Sequence, residues 1–252
     1  MVVATENNVI RLKPFTYAPI TIIEGEQRSG KSETAVTRMV DPTYANLTSV
    51  KLASGVVVKA EPVLNKMGYP IIGIARLWLP GQEPKILKVP PKSILRADGI
   101  KVIYNGHLYG VRYAHMKLPE IIEHLNDGTI RDCYLTVDEA YIGGDRRDGL
   151  SPLVKTISKL GWQIGKRHIH FTMCLPDSSV LDLRLQKVET EHIVCSYDDS
   201  RHRITMFIRN RKKYKRPREV SYDARTYFKY FNTDENFELT DVEIARAIAM
   251  AQ

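Results

Sequence analysis

The sequence lacks most features of secreted and membrane proteins. Its 252 residues include three cysteines, an odd number with no CxxC spacing, and two of them lie in apolar, strand-like runs. We therefore expect buried thiols in a reducing compartment. The N-terminal residues do not follow the basic and then apolar pattern of a secretion signal, and no apolar run is long enough to span a bilayer. These absences predict a soluble intracellular protein without a membrane span.

Excess positive charge is scarce outside one short segment. The formal net charge is +8, and the segment 209–218, which reads RNRKKYKRPR, holds seven basic residues. The remainder of the chain is therefore close to neutral. A basic run of this kind is typical of either a solvated loop or a nucleic-acid contact, and composition alone leaves both interpretations open.

Residues 20–38 carry the strongest motif. An apolar run over 20–23 leads into GEQRSGKS over 25–32, and a helix-compatible stretch follows, which is the context of a phosphate-binding loop. The two glycines let the backbone point its amides at a phosphate, and the helix dipole also favours an anion there. The alternative is a chance match in a glycine-containing turn. The expected nucleotide contacts are Gly25, Glu26, Gln27, Arg28, Ser29, Gly30, Lys31, Ser32 and Glu33.

Within this loop, two side chains have specific expected roles. Lys31 would reach the β- and γ-phosphates of the nucleotide, and the Ser32 hydroxyl would coordinate Mg²⁺.

A second motif supplies the other half of the site. Asp138 and Glu139 directly follow the apolar run 133–137, as expected where a buried parallel strand reaches the ligand-binding edge of an open sheet. The alternative is that this acidic pair merely begins a solvated loop.

The acidic pair predicts hydrolysis rather than kinase chemistry. Asp138 would hold the magnesium shell, and Glu139 would polarise the attacking water as the general base. Nucleotide kinases do not generally need the second carboxylate, whereas ring-forming ATPases with a catalytic glutamate do. The sequence therefore favours an ATPase that uses ATP and Mg²⁺.

The remaining chain predicts one α/β domain over residues 1–252. Short β-like runs separated by turns suggest a β-rich insertion over about 45–117, between the loop and the next core strand. Pro42 is expected to end the first helix. The expected architecture is a three-layer αβα P-loop NTPase with a mainly parallel central sheet. Further predicted elements are helices beginning near 118, 151 and 240, and strands over 168–175, 191–197 and 203–208.

The order of these segments resembles the terminase-like ATPases of phages and archaeal viruses and their zonular occludens toxin relatives, within the FtsK–HerA superfamily of DNA-pumping motors. The resemblance spans about residues 20–236 and supports the assignments of Lys31, Ser32, Asp138 and Glu139. The motifs that carry it are GEQRSGKS (25–32), YNGHLYGV (104–111), LTVDEAY (135–141), the arginine pair 146–147, GKRHIHFT (165–172), VLDLRLQ (180–186) and YFKYFNTDE (227–235).

The resemblance also implies a basic residue that reaches the γ-phosphate bound by a neighbouring subunit. Arg167 is the preferred candidate because it lies just before a core strand, and Arg146 and Arg147 are the alternatives. One departure concerns a Thr-Gln pair that the family often places at the end of the strand after the acidic one. Here that strand reads TMC over 172–174, so Thr172 or Ser178 assumes the sensing role, or sensing is altered.

The resulting functional expectation is a motor that packages viral double-stranded DNA. Such a protein would form a homo-oligomeric ring, expected to be a hexamer, at a capsid or portal vertex, in the host cytoplasm or attached to the virion. The basic segment would grip DNA phosphates without reading bases. The expected DNA contacts are Arg209, Arg211, Lys212, Lys213, Lys215 and Arg216.

Two other functions remain open from the sequence. One is a filamentous-phage or zonular occludens toxin-like assembly ATPase, although those relatives usually carry a membrane-spanning helix. The other is a nonmotor nucleotide-binding protein or kinase, in which the basic run is a solvated hairpin. DNA-stimulated hydrolysis by a ring distinguishes a motor from both.

Overall fold

The computed structural model describes residues 20–65, 70–96, 101–138, 152–177, 187–210 and 216–231. Over these residues the protein is a mixed α/β structure with one eight-stranded sheet and one five-stranded sheet. The strands are β1 (Ile20–Glu24), β2 (Leu47–Lys51), β3 (Val57–Leu64), β4 (Pro70–Leu77), β5 (Lys85–Lys88), β6 (Ile94–Arg96), β7 (Lys101–Tyr104), β8 (Ala114–His115), β9 (Cys133–Val137), β10 (Ile169–Leu175), β11 (Glu191–Asp198), β12 (Arg203–Asn210) and β13 (Arg218–Asp223). The α-helices are α1 (Lys31–Ala45), α2 (Leu118–Asp127) and α3 (Pro152–Ile164).

The larger sheet is mainly parallel, as the sequence predicts. Its strand order is β13-β12-β11-β1-β10-β9-β7-β8, and only the pairings of β12 with β11 and with β13 are antiparallel. All five residues of β9 are buried, which is why this strand has the continuous apolar composition of a parallel strand covered on both faces. The carboxyl ends of β1, β7, β9, β10 and β11 consequently share one edge of the sheet.

Helices cover both faces of this sheet. Ile20 and Ile22 of β1 pack in one buried cluster with Ile121 of α2 and Ile157 of α3. Ile23, which points to the opposite face, packs with Ala35 of α1. The alternation of side chains along β1 thus places α1 on one face and α2 and α3 on the other.

Helix α1 is buried between the two sheets. Its apolar residues share a core cluster with residues of the five-stranded sheet, and the helix continues through Pro42 to Ala45. The expectation that Pro42 ends the helix is therefore wrong. The last turn is held by Tyr44, which is fully buried and donates a hydrogen bond to the Val89 carbonyl at 2.6 Å. This tertiary contact outweighs the helix-breaking tendency of proline.

The second sheet is antiparallel and has the order β5-β4-β3-β2-β6. It spans residues 47–96 and forms most of the expected insertion. The expected range of 45–117 also included β7 and β8, but the structure places both in the larger sheet, where β7 pairs parallel with β9. Strand β7 is buried on both faces because Val102 and Ile103 enter different core clusters.

Candidate phosphate-binding site

The loop between β1 and α1 fits the predicted glycine requirement. Gly30 lies at the N-terminus of α1 with a φ of 86°, in the left-handed region, and an added Cβ would lie 2.6 Å from Cδ1 of Ile204. At Gly25 a Cβ would overlap the Ser29 hydroxyl and lie 2.9 Å from the Cys195 carbonyl oxygen. The backbone of the loop therefore packs directly against β11 and β12, which leaves no room for a side chain at either glycine.

The loop presents unused hydrogen-bonding groups. No described side chain caps the N-terminus of α1, so the first amides of the helix are available to an anion. The Ser29 hydroxyl oxygen is buried and has no hydrogen-bond partner among the described residues. Lys31 folds back over the loop and donates hydrogen bonds to the carbonyls of Gly25 at 2.8 Å and Glu26 at 2.7 Å. The glycine cradle, the unpaired hydroxyl and the adjacent ammonium together fit a bound phosphate.

The remaining predicted loop contacts are mostly on the surface. Glu26, Gln27 and Arg28 are exposed, and Ser32 is half-buried on the first turn of α1. Ser32 thus lies beside Lys31 at the carboxyl edge of the sheet, where the sequence predicts a magnesium ligand.

Asp138 occupies the predicted position directly after β9. Its side chain is buried, and the Tyr104 hydroxyl lies 3.4 Å from its Oδ2. Asn105 fixes its backbone, because Asn105 accepts a hydrogen bond from the Asp138 amide at 2.8 Å and donates one to the Asp138 carbonyl at 2.9 Å. The carboxylate is thereby positioned by the end of the neighbouring strand β7.

Cys174 connects the two halves of the site. Strand β10 lies between β1 and β9, and the Cys174 thiol lies 3.8 Å from the Lys31 carbonyl oxygen. Burial first, and then the nearby Asp138 carboxylate, hold the pKa of the Cys174 thiol well above its usual range. The thiol therefore stays neutral between the phosphate loop and the acidic strand end.

This geometry bears on the sensor position predicted from the sequence. Thr172 lies within the sheet, where it is paired with Thr21 on β1 and Thr136 on β9. Cys174, two residues further along the same strand, contacts the Lys31 carbonyl, and a sensing role for Thr172 stays a prediction. Ser178, the other candidate, lies outside the described residues. The contacts of Cys174 and Asn105 were not predicted, although Asn105 belongs to the motif YNGHLYGV, because both contacts depend on which strands are neighbours in the sheet.

Glu33 is an unusual group in the first turn of α1. Its side chain is buried, and its Oε1 has no hydrogen-bond partner in the described part of the chain. Burial, together with the charge of Asp223, raises the pKa of Glu33 to about 8. Glu33 is therefore largely uncharged near neutral pH, which avoids repulsion of an anion bound at the start of the helix.

Arg167 lies away from these groups within one chain. It precedes β10, which runs parallel to β1, so Arg167 is at the amino edge of the sheet and the phosphate loop is at the carboxyl edge. Its guanidinium donates hydrogen bonds to the Leu125 carbonyl at 2.6 Å and to Oε1 of Gln163 at 2.7 Å. These contacts bind the end of α2 to the end of α3. Its expected action on a neighbouring subunit stays a prediction.

The basic segment also leaves from the amino edge. Arg209 is exposed near the end of β12, where Asn210 pairs with Glu191 at the start of β11. Arg216, before β13, is exposed as well. Several predicted site residues lie outside the described residues, namely Glu139, Arg146, Arg147, Arg211, Lys212, Lys213 and Lys215.

Three other features of the described residues concern thiols, metal ligands and membrane spans. All three cysteines are buried and free, as expected from the sequence. In the described ranges, no group of three or more histidine, cysteine, aspartate or glutamate side chains is arranged to hold a metal ion. Among the helices that the structure describes, none is long and apolar enough to cross a membrane.

The fold and the β1–loop–α1 geometry define an α/β protein with a phosphate-loop-like site. Among solved structures, the chain is similar to the N-terminal domain of zonular occludens toxin from Neisseria meningitidis, with a TM-score of 0.48 and 13% identity, over 85% of this chain and 100% of that chain. No protein-family model and no curated protein matches the chain. A likeness of this extent assigns no residue role, and the resemblance to the wider superfamily of DNA-pumping motors stays a prediction from the sequence.

Proposed function

We propose that the protein is a magnesium-dependent ATPase of the P-loop class. The observation that supports this best is the start of α1, which no described side chain caps and which follows the Gly25–Gly30 turn, with Cys174 on the strand between this loop and buried Asp138. Phosphate-binding amides and a carboxylate on a nearby strand end are the two parts that nucleotide hydrolysis requires.

The residues have distinct proposed roles. The loop amides bind the phosphates, and the Ser29 hydroxyl donates a further hydrogen bond. Lys31 releases the two loop carbonyls that it now contacts and binds the β- and γ-phosphate oxygens. Ser32 and Asp138 hold Mg²⁺, which neutralises charge on the β- and γ-phosphates when it is bound.

Water activation is assigned to the residue after Asp138. Glu139 follows β9 directly in the sequence, and we propose that it accepts the proton of the attacking water as the general base. Arg167 or Arg146 of a neighbouring subunit would stabilise the transition-state charge if the protein forms the proposed ring.

Two processes are candidates for the work that ATP hydrolysis drives. Translocation of double-stranded DNA, in genome packaging, is supported by the concentration of basic residues in 209–218 and by the exposure of two of them, Arg209 and Arg216. An assembly ATPase of the zonular occludens toxin kind is supported by the sequence motifs. Because Arg209 and Arg216 lie at the edge of the sheet opposite the phosphate loop, DNA translocation would require coupling through the sheet or between subunits.

The catalytic proposal is tested by measuring Mg²⁺-dependent ATP hydrolysis with Lys31→Ala, Asp138→Asn and Glu139→Gln. Each substitution should lower the turnover rate by about 100-fold or more. Lys51→Ala is the matched lysine control, because Lys51 is exposed on β2 in the other sheet, and it should leave the rate unchanged. Full activity of Lys31→Ala would exclude the proposed site.

The same assay with nonspecific double-stranded DNA separates the two kinds of work. A translocating motor should hydrolyse ATP faster with DNA, and Arg209→Gln combined with Arg216→Gln should weaken DNA binding and lower its salt dependence by about one phosphate contact for each charge removed. Hydrolysis that does not respond to DNA would favour the assembly ATPase or the nonmotor function.

A further inference from the structure

The β11–β12 hairpin forms a wall beside the phosphate loop. Strand β1 has two neighbours in the sheet, with β10 leading towards Asp138 and β11 on the other side. The hairpin is in direct contact with the loop, because Ile204 fills the space beside Gly30 and the Cys195 carbonyl lies beside Gly25. Any ligand that extends from the loop on the side away from Asp138 must therefore pass this hairpin.

The direction of a bound nucleotide follows from the proposed function. Lys31 and the metal ligands would engage the β- and γ-phosphates, so the terminal phosphate belongs on the side of Cys174 and Asp138. A triphosphate is a linear chain with the nucleoside at its other end. The nucleoside is consequently expected on the β11 side of the loop.

The hairpin offers an aromatic surface at this place. Tyr197, near the end of β11, is half-buried, and it pairs with Ile204 across the strands, so both side chains lie on the face that carries the phosphate loop. Its hydroxyl lies 3.3 Å from Nδ1 of exposed His202. Aromatic rings of this kind bind the flat faces of nucleobases.

A second and independent observation concerns Glu33. It lies in the first turn of α1, and Tyr197 packs against a core cluster that includes Ala35 of the same helix. Burial is the main cause of the raised pKa of the Tyr197 and Tyr222 hydroxyls, and the Glu33 carboxyl adds to it. The buried Oε1 of Glu33 has no partner in the described structure. The hairpin and the start of α1 therefore together supply an aromatic ring surface and an unused polar atom. That combination suits a nucleoside, which has a flat base and several hydroxyl and amide groups.

We propose that Tyr197 and His202 form the base-binding wall of the nucleotide site and that this wall favours purine over pyrimidine nucleotides. The proposal rests on the proposed ATPase function. Purines are favoured because their two fused rings cover more of an aromatic surface than a single pyrimidine ring does.

Calorimetric titration of the full chain tests the proposal with three ligands: ATP, CTP and inorganic tripolyphosphate. Wild-type protein should bind ATP more tightly than CTP. Tyr197→Leu should weaken ATP binding by about 5- to 30-fold, as expected for loss of a base-stacking ring, while its affinity for tripolyphosphate stays within about twofold. Tyr197→Phe, which keeps the ring, should retain most of the ATP affinity.

Phe207→Leu is the matched control. Phe207 is an exposed aromatic residue of the same hairpin, on β12, but it pairs with Val194 on the opposite face of the sheet, so its substitution should leave all three affinities unchanged. Unchanged ATP affinity in Tyr197→Leu, or an equal loss of ATP and tripolyphosphate affinity, would overturn the assignment of the wall. A wild-type protein that binds neither ATP nor tripolyphosphate would overturn the proposed function itself.

Discussion

Replacement of Glu33 by glutamine should change how the stability of the protein depends on pH. Folding raises the pKa of Glu33 from 4.5 to about 8, so between these values the native state keeps a proton that the unfolded chain has lost. The free energy of unfolding must then fall as the pH rises through this interval, and it should level off above about pH 8. A glutamine cannot ionise, so Glu33→Gln should lack this contribution.

The magnitude follows from the size of the pKa change. Each tenfold change in proton affinity corresponds to about 1.4 kcal/mol. The contribution of Glu33 to the free energy of unfolding can therefore change by at most about 4 kcal/mol between about pH 5 and about pH 8. Relaxation around the ionised carboxylate reduces this value, and we expect Glu33→Gln to be more stable than wild type by about 2 to 4 kcal/mol near pH 8 but similar to it near pH 5.

Urea denaturation of both proteins at a series of pH values measures this difference. Burial also raises the pKa of Asp41 to about 6. Asp41 contributes equally to both proteins, so its effect cancels from the difference in stability. Glu83→Gln is the control because Glu83 is exposed in a loop of the second sheet. Parallel stability profiles for wild type and Glu33→Gln would refute the inference that folding buries Glu33 as a neutral acid.

Three further substitutions test the framework around the site. Gly30→Ala should destabilise the fold by about 2 kcal/mol or more and abolish ATP binding in calorimetry, because it combines a left-handed backbone with a clash against Ile204. Arg38→Met should lower the free energy of unfolding by about 3 kcal/mol, since it leaves the Glu191 carboxylate buried without its 2.6 Å partner, and adding Glu191→Gln should restore most of the loss. Arg167→Met should lower the free energy of unfolding by about 1 kcal/mol, because the contacts between α2 and α3 are lost. An unchanged midpoint in urea denaturation would show that these contacts do not stabilise the fold.

Local patterns were sufficient to predict the elements that carry the site. Three patterns reflect constraints between residues that are close in sequence. They are the apolar run before Gly25, the glycine spacing of the loop and the acidic end of β9. Helix α2 was predicted for the same reason. The Lys117 amide before it donates a hydrogen bond to the Glu120 carboxylate, and Gly128 directly after it has a φ of 81°.

Features that depend on distant contacts were not predicted. The run KVIY of β7 is compatible with either sheet, and only pairing with β9 decides its place. The extension of α1 through Pro42 depends on the burial of Tyr44 against Val89, which is 45 residues away in sequence. Parallel strand neighbours likewise leave no local sequence signal, so the contact between Cys174 and the phosphate loop could not be read from the motif.

Helix α1 connects the candidate phosphate site to three other parts of the molecule. From its first turn at the phosphate loop, the helix runs past a buried ion pair between Arg38 and Glu191 of β11. Asp41 then accepts a 2.6 Å hydrogen bond from Tyr227, beyond β13, and the last turn contacts the five-stranded sheet.

Since the helix is buried along most of its length, it cannot shift at one end without disturbing these contacts. Binding of the proposed nucleotide, for which Lys31 would leave the carbonyls of Gly25 and Glu26, would therefore act on an element tied to both sheets. If nucleotide turnover drives movement in this protein, α1 is the part of the described structure best placed to transmit it. A displacement of α1 would then move the five-stranded sheet.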